Sequence, residues 1–235
     1  MSQLHAAPAG RGRRRASHSM DAVLTEAVAL LDEAGEPALT FRALAARLGG
    51  GVASIYWYVG SRDELLDRAT DFVVDSLLAT IRAIPTTDDP INDLRTIALT
   101  LFGGVVDRPW LAAYFLRNSA VQPNSLAIYE HIGQQTMRLD LTPLQRFHAV
   151  SAITGYVIGC ATDLGQEPPE EVVQGSVSRE AFLERAAEQW RELDADEFPF
   201  VHHIVDEFAH HSDADQFRAG LDLLLAGLRL QADRR

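Results

Sequence analysis

The sequence predicts an all-α protein with a small three-helix head at the N-terminus and a larger helical body behind it. Three observations predict this. Apolar residues recur at helical spacing along most of the chain. No run of alternating β-branched residues sits between hairpin turns. Proline and glycine fall mostly between the periodic segments, not inside them.

Taken in order, Ala22, Val23, Ala27, Leu30, Leu31 and Ala34 share one helical face, and that helix is expected to stop at Gly35. Thr40 stands where an N-cap belongs, before Phe41, Leu44, Ala45 and Leu48. Gly49, Gly50 and Gly51 break the chain, and residues 52–59 read as a third short helix. Ser61 opens a long fourth one. Asp63 and Glu64 occupy its first turn, where the helix dipole favours negative charge. Leu65, Leu66, Ala69, Phe72, Val73, Leu77 and Ile81 carry its apolar stripe toward Pro85. Further helical patterns cover 91–106, 110–120, 125–139, 142–164, 179–193, 201–211 and 213–231. Residues 166–178, rich in Pro, Glu and Gly, are expected to form a loop. The expected divisions are a disordered basic arm over 1–19, a DNA-binding head over 20–66 and a body over 67–235.

The chain has 235 residues, 47% of them hydrophobic, enough for a sizeable core. No apolar run approaches the ~18 residues that cross a bilayer, so no membrane partner is expected. The basic N-terminus lacks the apolar stretch of a secretion signal. The single cysteine, Cys160, excludes an intrachain disulfide and fits a reducing cytoplasm. The net charge of −12 argues against nucleic acid until its distribution is seen. Residues 1–70 hold eight Arg and eight acids, while residues 71–235 hold 13 Arg and 25 acids. Arg11, Arg13, Arg14 and Arg15 form a basic arm with no acid beside them. A neutral head with a basic arm on an acidic body suits DNA contact at one end. A merely solvated tail fits the arm as well. Every cation is arginine, which reads first as codon bias.

Two short helices joined by a glycine turn are the helix-turn-helix layout, whose second helix enters the major groove. Leu44, Ala45, Leu48, Ile55 and Val59 would form its internal core. Val52 and Ala53 are small enough for close approach to base edges. Thr40, Arg42, Ser54, Tyr56, Trp57, Tyr58 and Arg62 are the polar and aromatic candidates for phosphate and base contact. Tyr56, Trp57 and Tyr58 also fit core aromatics. Three consecutive helical positions span about 200°, however, so at least one must be exposed.

Leu39 to Gly49, then Ser54-Ile55-Tyr56-Trp57-Tyr58-Val59, then Ser61-Arg62-Asp63-Glu64-Leu65-Leu66, resemble the DNA-binding head of TetR-family transcriptional regulators, the tetracycline-repressor branch in particular. The stretch from Phe217 to Leu228 resembles the last helix of that branch. The sequence departs from the family at its triple-glycine turn and at Val52 and Ala53, where polar residues or proline are usual. That leaves few side chains for base readout and gives weight to Arg42 and Arg47.

The resemblance implies a regulator, expected here to be a repressor, that binds double-stranded palindromic operator DNA as a homodimer and is released by a small organic effector. It implies a helical C-terminal domain that holds the effector and dimerises through a four-helix bundle. Phe102, Trp110, Tyr114, Phe115, Met137, Phe147, His148 and Tyr156 are the candidate pocket residues, with ordinary core packing as the alternative. Gly155, Gly159, Leu221, Leu224, Leu225 and Leu228 are the candidate dimer seam, with an internal core helix as the alternative. His202, His203, Asp206, Glu207, His210 and His211 crowd one segment at helical spacing. A polar helix surface is the preferred reading, so no metal and no cofactor are expected. The sequence carries no G-x-S-x-G, phosphate loop, H-E-x-x-H or dinucleotide fingerprint, so no enzyme is expected. An apolar-ligand carrier would not need the arm, the glycine turn and the Tyr-Trp-Tyr run together.

Overall fold

The computed structural model describes residues 18–164 and 169–234. Among them every regular element is a helix, and the chain divides into two compact units, 1–65 and 66–235. Arg11, Arg13, Arg14 and Arg15 lie outside the described residues.

The first unit holds α1 (Met20–Ala38), α2 (Phe41–Arg47), α3 (Val52–Ile55) and the first turn of α4 (Arg62–Arg82). The Ser19 hydroxyl accepts from the Ala22 amide at 3.1 Å and caps α1. The helical path of α1 breaks at Gly35, whose φ of +68° suits glycine, two residues before Pro37. Thr40 caps α2 in the same way, accepting from the Ala43 amide at 3.1 Å. Val23, Leu24, Ala27, Leu30 and Leu31 of α1 are buried, as are Leu44, Ala45, Ile55 and Val59. Of the three consecutive glycines only Gly49 is left-handed, at φ +66°. The expected helix over 52–59 is regular only over Val52–Ile55, and residues 56–58 form a turn. Gly51 has no side chain to cap α3, and so short a helix has few bonds to offset nucleation.

The second unit holds the rest of α4, then α5 (Pro90–Val106), α6 (Pro109–Tyr114), α7 (Pro123–Met137) and α8 (Pro143–Leu164). These are followed by α9 (Glu170–Val173), α10 (Arg179–Arg191), α11 (Pro199–His210) and α12 (Asp213–Asp233). Proline opens α5, α6, α7 and α11, where its missing N–H costs nothing. The segment expected to be a loop contains the one-turn α9, none of it buried. Its residues 165–168 lie outside the described part.

The core of this unit is built where α5 and α8 pack on each other and on α6, α7 and α12. Ile97, Leu101, Ile128, Ile132, Val150, Ile153 and Val157 are buried there. Leu221, Leu225 and Leu228 are buried with them, at 0%, 1% and 7% exposure. This corrects their assignment to a dimer seam. The heptad-like stripe of α12 faces the subunit's own α5 and α8, so the core reading holds for these three. Leu224 is half-buried, and Gly155 and Gly159 are exposed with open space where a Cβ would stand. The hairpin of α10 and α11 has a small core of its own. Ala187, Val205 and Ala209 are buried there, with Trp190 and Phe208 packed over them.

Gly220 permits the close approach of α8 and α12. A Cβ there would lie 2.6 Å from Tyr156 Cζ. Gly220→Ala is expected to displace the Tyr156 ring and to lower stability by about 1–3 kcal/mol. An unchanged melting temperature would show that the ring moves freely.

Candidate nucleic-acid interface and ligand cavity

In the head, the turn after α3 presents its aromatics outward. Trp57 is 89% exposed and Tyr56 59%. Tyr56 packs edge-on against Phe41, with centroids 4.9 Å apart. Tyr58 is half-buried, and its hydroxyl donates to the His18 carbonyl. Arg42, Val52 and Ala53 are exposed, on the helices either side of the glycine turn. The Ser54 hydroxyl donates to the Gly51 carbonyl at 2.5 Å, and Thr40 is engaged as a cap.

Arg62 has a different role from phosphate contact. Its Nε donates to the Leu39 carbonyl at 2.9 Å, and its two terminal nitrogens donate to the Glu36 carboxylate at 3.0 Å and the Glu36 carbonyl at 2.6 Å. The guanidinium thus ties the α1–α2 corner to the start of α4. Phosphate contact would require these bonds to break. Arg47 is likewise turned onto α1, where it pairs with Glu33 and lies 3.9 Å from Glu26. Its hydrogen bonds to Glu33 hold the Glu33 carboxyl below its ordinary pKa. Of the arginines weighed as readers, Arg42 stays on the exposed face.

In the body, the predicted pocket residues do not come together. Trp110, Tyr114 and Phe115 are buried around α6. Phe102 and Tyr156 are half-buried and both stack near-parallel to Phe217. Met137, Phe147 and His148 are exposed, Met137 at 64% and Phe147 at 58%, and so are not part of an internal pocket. Met137 is the last residue of α7, and Phe147 and His148 sit in the first turns of α8, on its outer side. His148 instead lines a shallow hollow between α8 and α12 with Ala149, Ala152, Leu223, Leu224 and Gly227.

A larger cavity of about 890 Å³ opens between α8, α11 and α12. Tyr156, Cys160, Phe208 and Phe217 line it. Tyr156 donates to the Phe217 carbonyl at 3.1 Å, and burial together with the neighbouring Cys160 thiol pushes its hydroxyl up to about 12. Sequence reasoning missed Phe208 and Phe217, because each sits in an apolar stripe that reads as core. Among the described residues no group of three or more His, Cys, Asp or Glu converges on a metal position.

The side chains that tie α4 to the helices after it are acidic. Asp67 accepts from Arg117 Nε at 2.9 Å. Asp71, one turn on, accepts from the backbone amides of Asn124 and Ser125 at 2.8 and 3.1 Å, and so caps α7 from another helix. Burial pushes the Asp71 carboxyl up, and these two amides offset part of that rise. Both aspartates were absent from the sequence-level candidates, since in sequence they read as ordinary surface acids of a long helix.

Comparison with known proteins places both units. Residues 23–69 match the family described as bacterial regulatory proteins, tetR family. Residues 85–232 match the tetracyclin repressor-like C-terminal domain. An HTH-type transcriptional regulator of Saccharopolyspora erythraea is 30% identical over 152 residues, 65% of this chain, and the match spans 63% of that protein's length. The HTH-type transcriptional repressor DrrR1 of Streptomyces coeruleorubidus is 25% identical over 226 residues, covering 92% of this chain and 80% of that one. Among solved structures, the transcriptional regulator SCO7222, a TetR from Streptomyces coelicolor, superimposes with a TM-score of 0.74. It is 32% identical and covers 92% of this chain and 99% of its own. ActR from the same organism, in complex with actinorhodin, gives 0.78 at 23% identity over 92% of this chain and 98% of that one, a likeness of fold. No helix among the described residues is long and apolar enough to cross a membrane.

Proposed function

The chain belongs to the TetR family of bacterial transcriptional regulators, and from that premise we propose that it is a homodimeric repressor, bound to palindromic operator DNA and released by a small organic effector. The observation that carries the DNA reading is the exposure of Trp57 and Tyr56 beside the glycine turn. A monomeric core protein gains nothing by holding two large aromatics in water at that place. A DNA reader uses them against the backbone and the thymine methyls. Arg42 and the basic arm supply positive charge to the same end of the chain. Repression is supported by the likeness to a protein named as a repressor, and effector release by the likeness to a regulator crystallised with a small molecule. A gel shift with the intergenic DNA upstream of the chain's own coding sequence tests the reading. No retarded band at low salt, with folded protein, would overturn it.

A dimer is required because one short reading helix covers too few bases, whereas a two-fold pair covers a palindrome. With Leu221, Leu225 and Leu228 engaged inside the subunit, the outer face of α12 supplies the seam. Leu223 is 77% exposed and Leu230 59%, one heptad apart, with Gly227 between them. Gly155 and Gly159 open the facing side of α8 to close approach. Leu223→Glu with Leu230→Glu is expected to yield folded monomer, since neither side chain supports the subunit core. Sedimentation at micromolar concentration checks this, and a variant still wholly dimeric would move the seam elsewhere.

Release is proposed to pass through α4. Its first turn holds Arg62 and its next turns hold Asp67 and Asp71. An effector that prefers one setting of this helix about 100-fold supplies roughly 2.7 kcal/mol of coupling, and operator DNA must then weaken effector binding by the same factor.

A further inference from the structure

His18, the first described residue, stands at the reading surface. The Tyr58 hydroxyl, in the turn after α3, donates to the His18 carbonyl. One residue later, the Ser19 hydroxyl caps α1. A Cβ built on Gly50, in the glycine turn, would lie 3.8 Å from His18 Nε2 and 3.1 Å from Ser54 Oγ. His18 thus sits against the turn that opens α3 and is bonded to the turn that closes it. Arg15 precedes His18 by three residues and Arg11 by seven. At up to about 3.6 Å per residue, the Arg15 backbone stays within roughly 11 Å of that anchor.

The charge of the head depends on the residues before His18. Residues 18–65 hold three arginines against seven aspartates and glutamates. Two of the three, Arg47 and Arg62, are turned onto α1. A head of that balance would be repelled by the phosphates of a duplex. Arg11, Arg13, Arg14 and Arg15 bring it to neutrality and gather positive charge ahead of Asp21, the first acid in the chain. They are set among Gly10, Gly12, Ala16 and Ser17, residues slim enough for a minor groove about 6 Å wide.

We propose that these four arginines enter the minor groove beside the major-groove site of α3 and favour A·T pairs there, and that Tyr58 positions them by fixing His18 at the reading element. A narrow A·T-rich minor groove draws arginine through its enhanced negative potential. At G·C pairs the guanine 2-amino group projects into that groove. Val52 and Ala53 give the start of α3 no polar side chain for base edges, so the flanking groove carries a share of the specificity. The proposal deepens the DNA reading and rests on it.

Gel shifts with the full-length protein test it on the operator footprinted upstream of the chain's own coding sequence. The operator is made in three forms, with A·T, G·C or I·C pairs flanking each half-site. Deoxyinosine lacks the guanine 2-amino group, so I·C matches G·C in the major groove and A·T in the minor groove. The parent protein is expected to bind the G·C form about tenfold more weakly than the A·T form, and the I·C form nearly as tightly as the A·T form. Replacing all four arginines with alanine is expected to weaken binding to the A·T form by at least about tenfold at fixed salt and to abolish the preference among flanks. The salt dependence should flatten by about one unit of log–log slope per lost contact. Tyr58→Phe keeps the ring and removes the bond to His18. It is expected to reduce the flank preference by at least about threefold and to be non-additive with loss of the arginines, which a merely structural role would not produce. No retarded band with any form would overturn the DNA reading itself, and this proposal with it. Retarded bands of equal affinity for all three forms, or an I·C form bound as weakly as the G·C form, would overturn the groove assignment while the DNA reading stands. Affinity and salt slope unchanged without the four arginines would make the arm a solvated tail. A flank preference unchanged in Tyr58→Phe would overturn the positioning role of Tyr58.

Discussion

Replacing Tyr56 and Trp57 together with alanine is expected to lower operator affinity by at least about 100-fold at fixed salt, with little change in stability. Each lost contact to base or phosphate is worth about 1–3 kcal/mol. Trp57 is 89% exposed, so its removal deprives the fold of almost no burial. Surface changes of this kind usually stay within about 0.5 kcal/mol. Tyr56 also touches Phe41 edge-on, so the Trp57→Ala single variant separates DNA contact from packing. A quantitative gel shift beside a thermal melt decides the matter. Operator binding equal to that of the parent protein would mean that these aromatics serve some other surface. Arg62→Ala should behave in the opposite way, because its three bonds hold the α1–α2 corner. Its loss is expected to lower the melting temperature first and DNA affinity only through that.

The largest loss of stability in the body is expected from Asp93→Ala. Asp93 is 2% exposed. Its carboxylate accepts from the Thr87 amide at 3.1 Å, from the Thr87 hydroxyl at 2.6 Å and from Arg138 at 2.6 Å. One side chain thus pins the link between α4 and α5 to the end of α7. Removing it leaves the Thr87 amide and one side of the Arg138 guanidinium without their acceptor, at a cost of about 2–4 kcal/mol. Burial would raise this carboxyl, but the hydrogen bonds and the charge of Arg138 outweigh burial and hold its pKa below the ordinary 3.8. A group whose pKa is depressed by folding contributes stability that is full above the ordinary value and is lost as the pH falls through the folded value. Acid melts of the parent protein should therefore steepen below about pH 4. Asp93→Asn should start less stable and show a shallower acid limb. Identical acid limbs would assign the acid sensitivity to other carboxylates.

The sequence announced the order of helices because period and punctuation are local properties. Ser19, Thr40 and the prolines opening α5, α6, α7 and α11 mark starts that depend on no distant residue. Gly35 and Pro37 mark a stop for the same reason. The exposure of aromatics after the glycine turn was legible for a geometric cause, since three consecutive aromatics on a helical turn cannot all be buried. What escaped was every choice between two partners for the same chemistry. The leucines of α12 fit a subunit core or a dimer seam equally well by period, and only tertiary packing assigns Leu221 and Leu225 inward and Leu223 outward. Arg62 carries the same charge whether it meets a phosphate or the Glu36 carbonyl, and the deciding fact is the corner at Gly35 that brings that carbonyl within reach. Which aromatics share a cavity was not legible, because aromatic content alone does not place a residue in one. Phe147 and Met137 are aromatic or apolar yet exposed, while Phe208 and Phe217 gather at the cavity through contacts between segments far apart in sequence.

The exposed ring at position 57 has a spectroscopic consequence. The chain holds three tryptophans, Trp57, Trp110 and Trp190. Trp110 is 9% exposed and Trp190 is stacked on Phe208. Trp57 alone among them stands nearly free in water, on the face proposed to meet DNA. Its emission should be the reddest of the three and the most open to quenching by iodide. Trp110 should report on the interior of the body, and Trp190 on the hairpin of α10 and α11. The unlabelled molecule would therefore carry separate optical signals for the two events that a regulator of this kind has to connect.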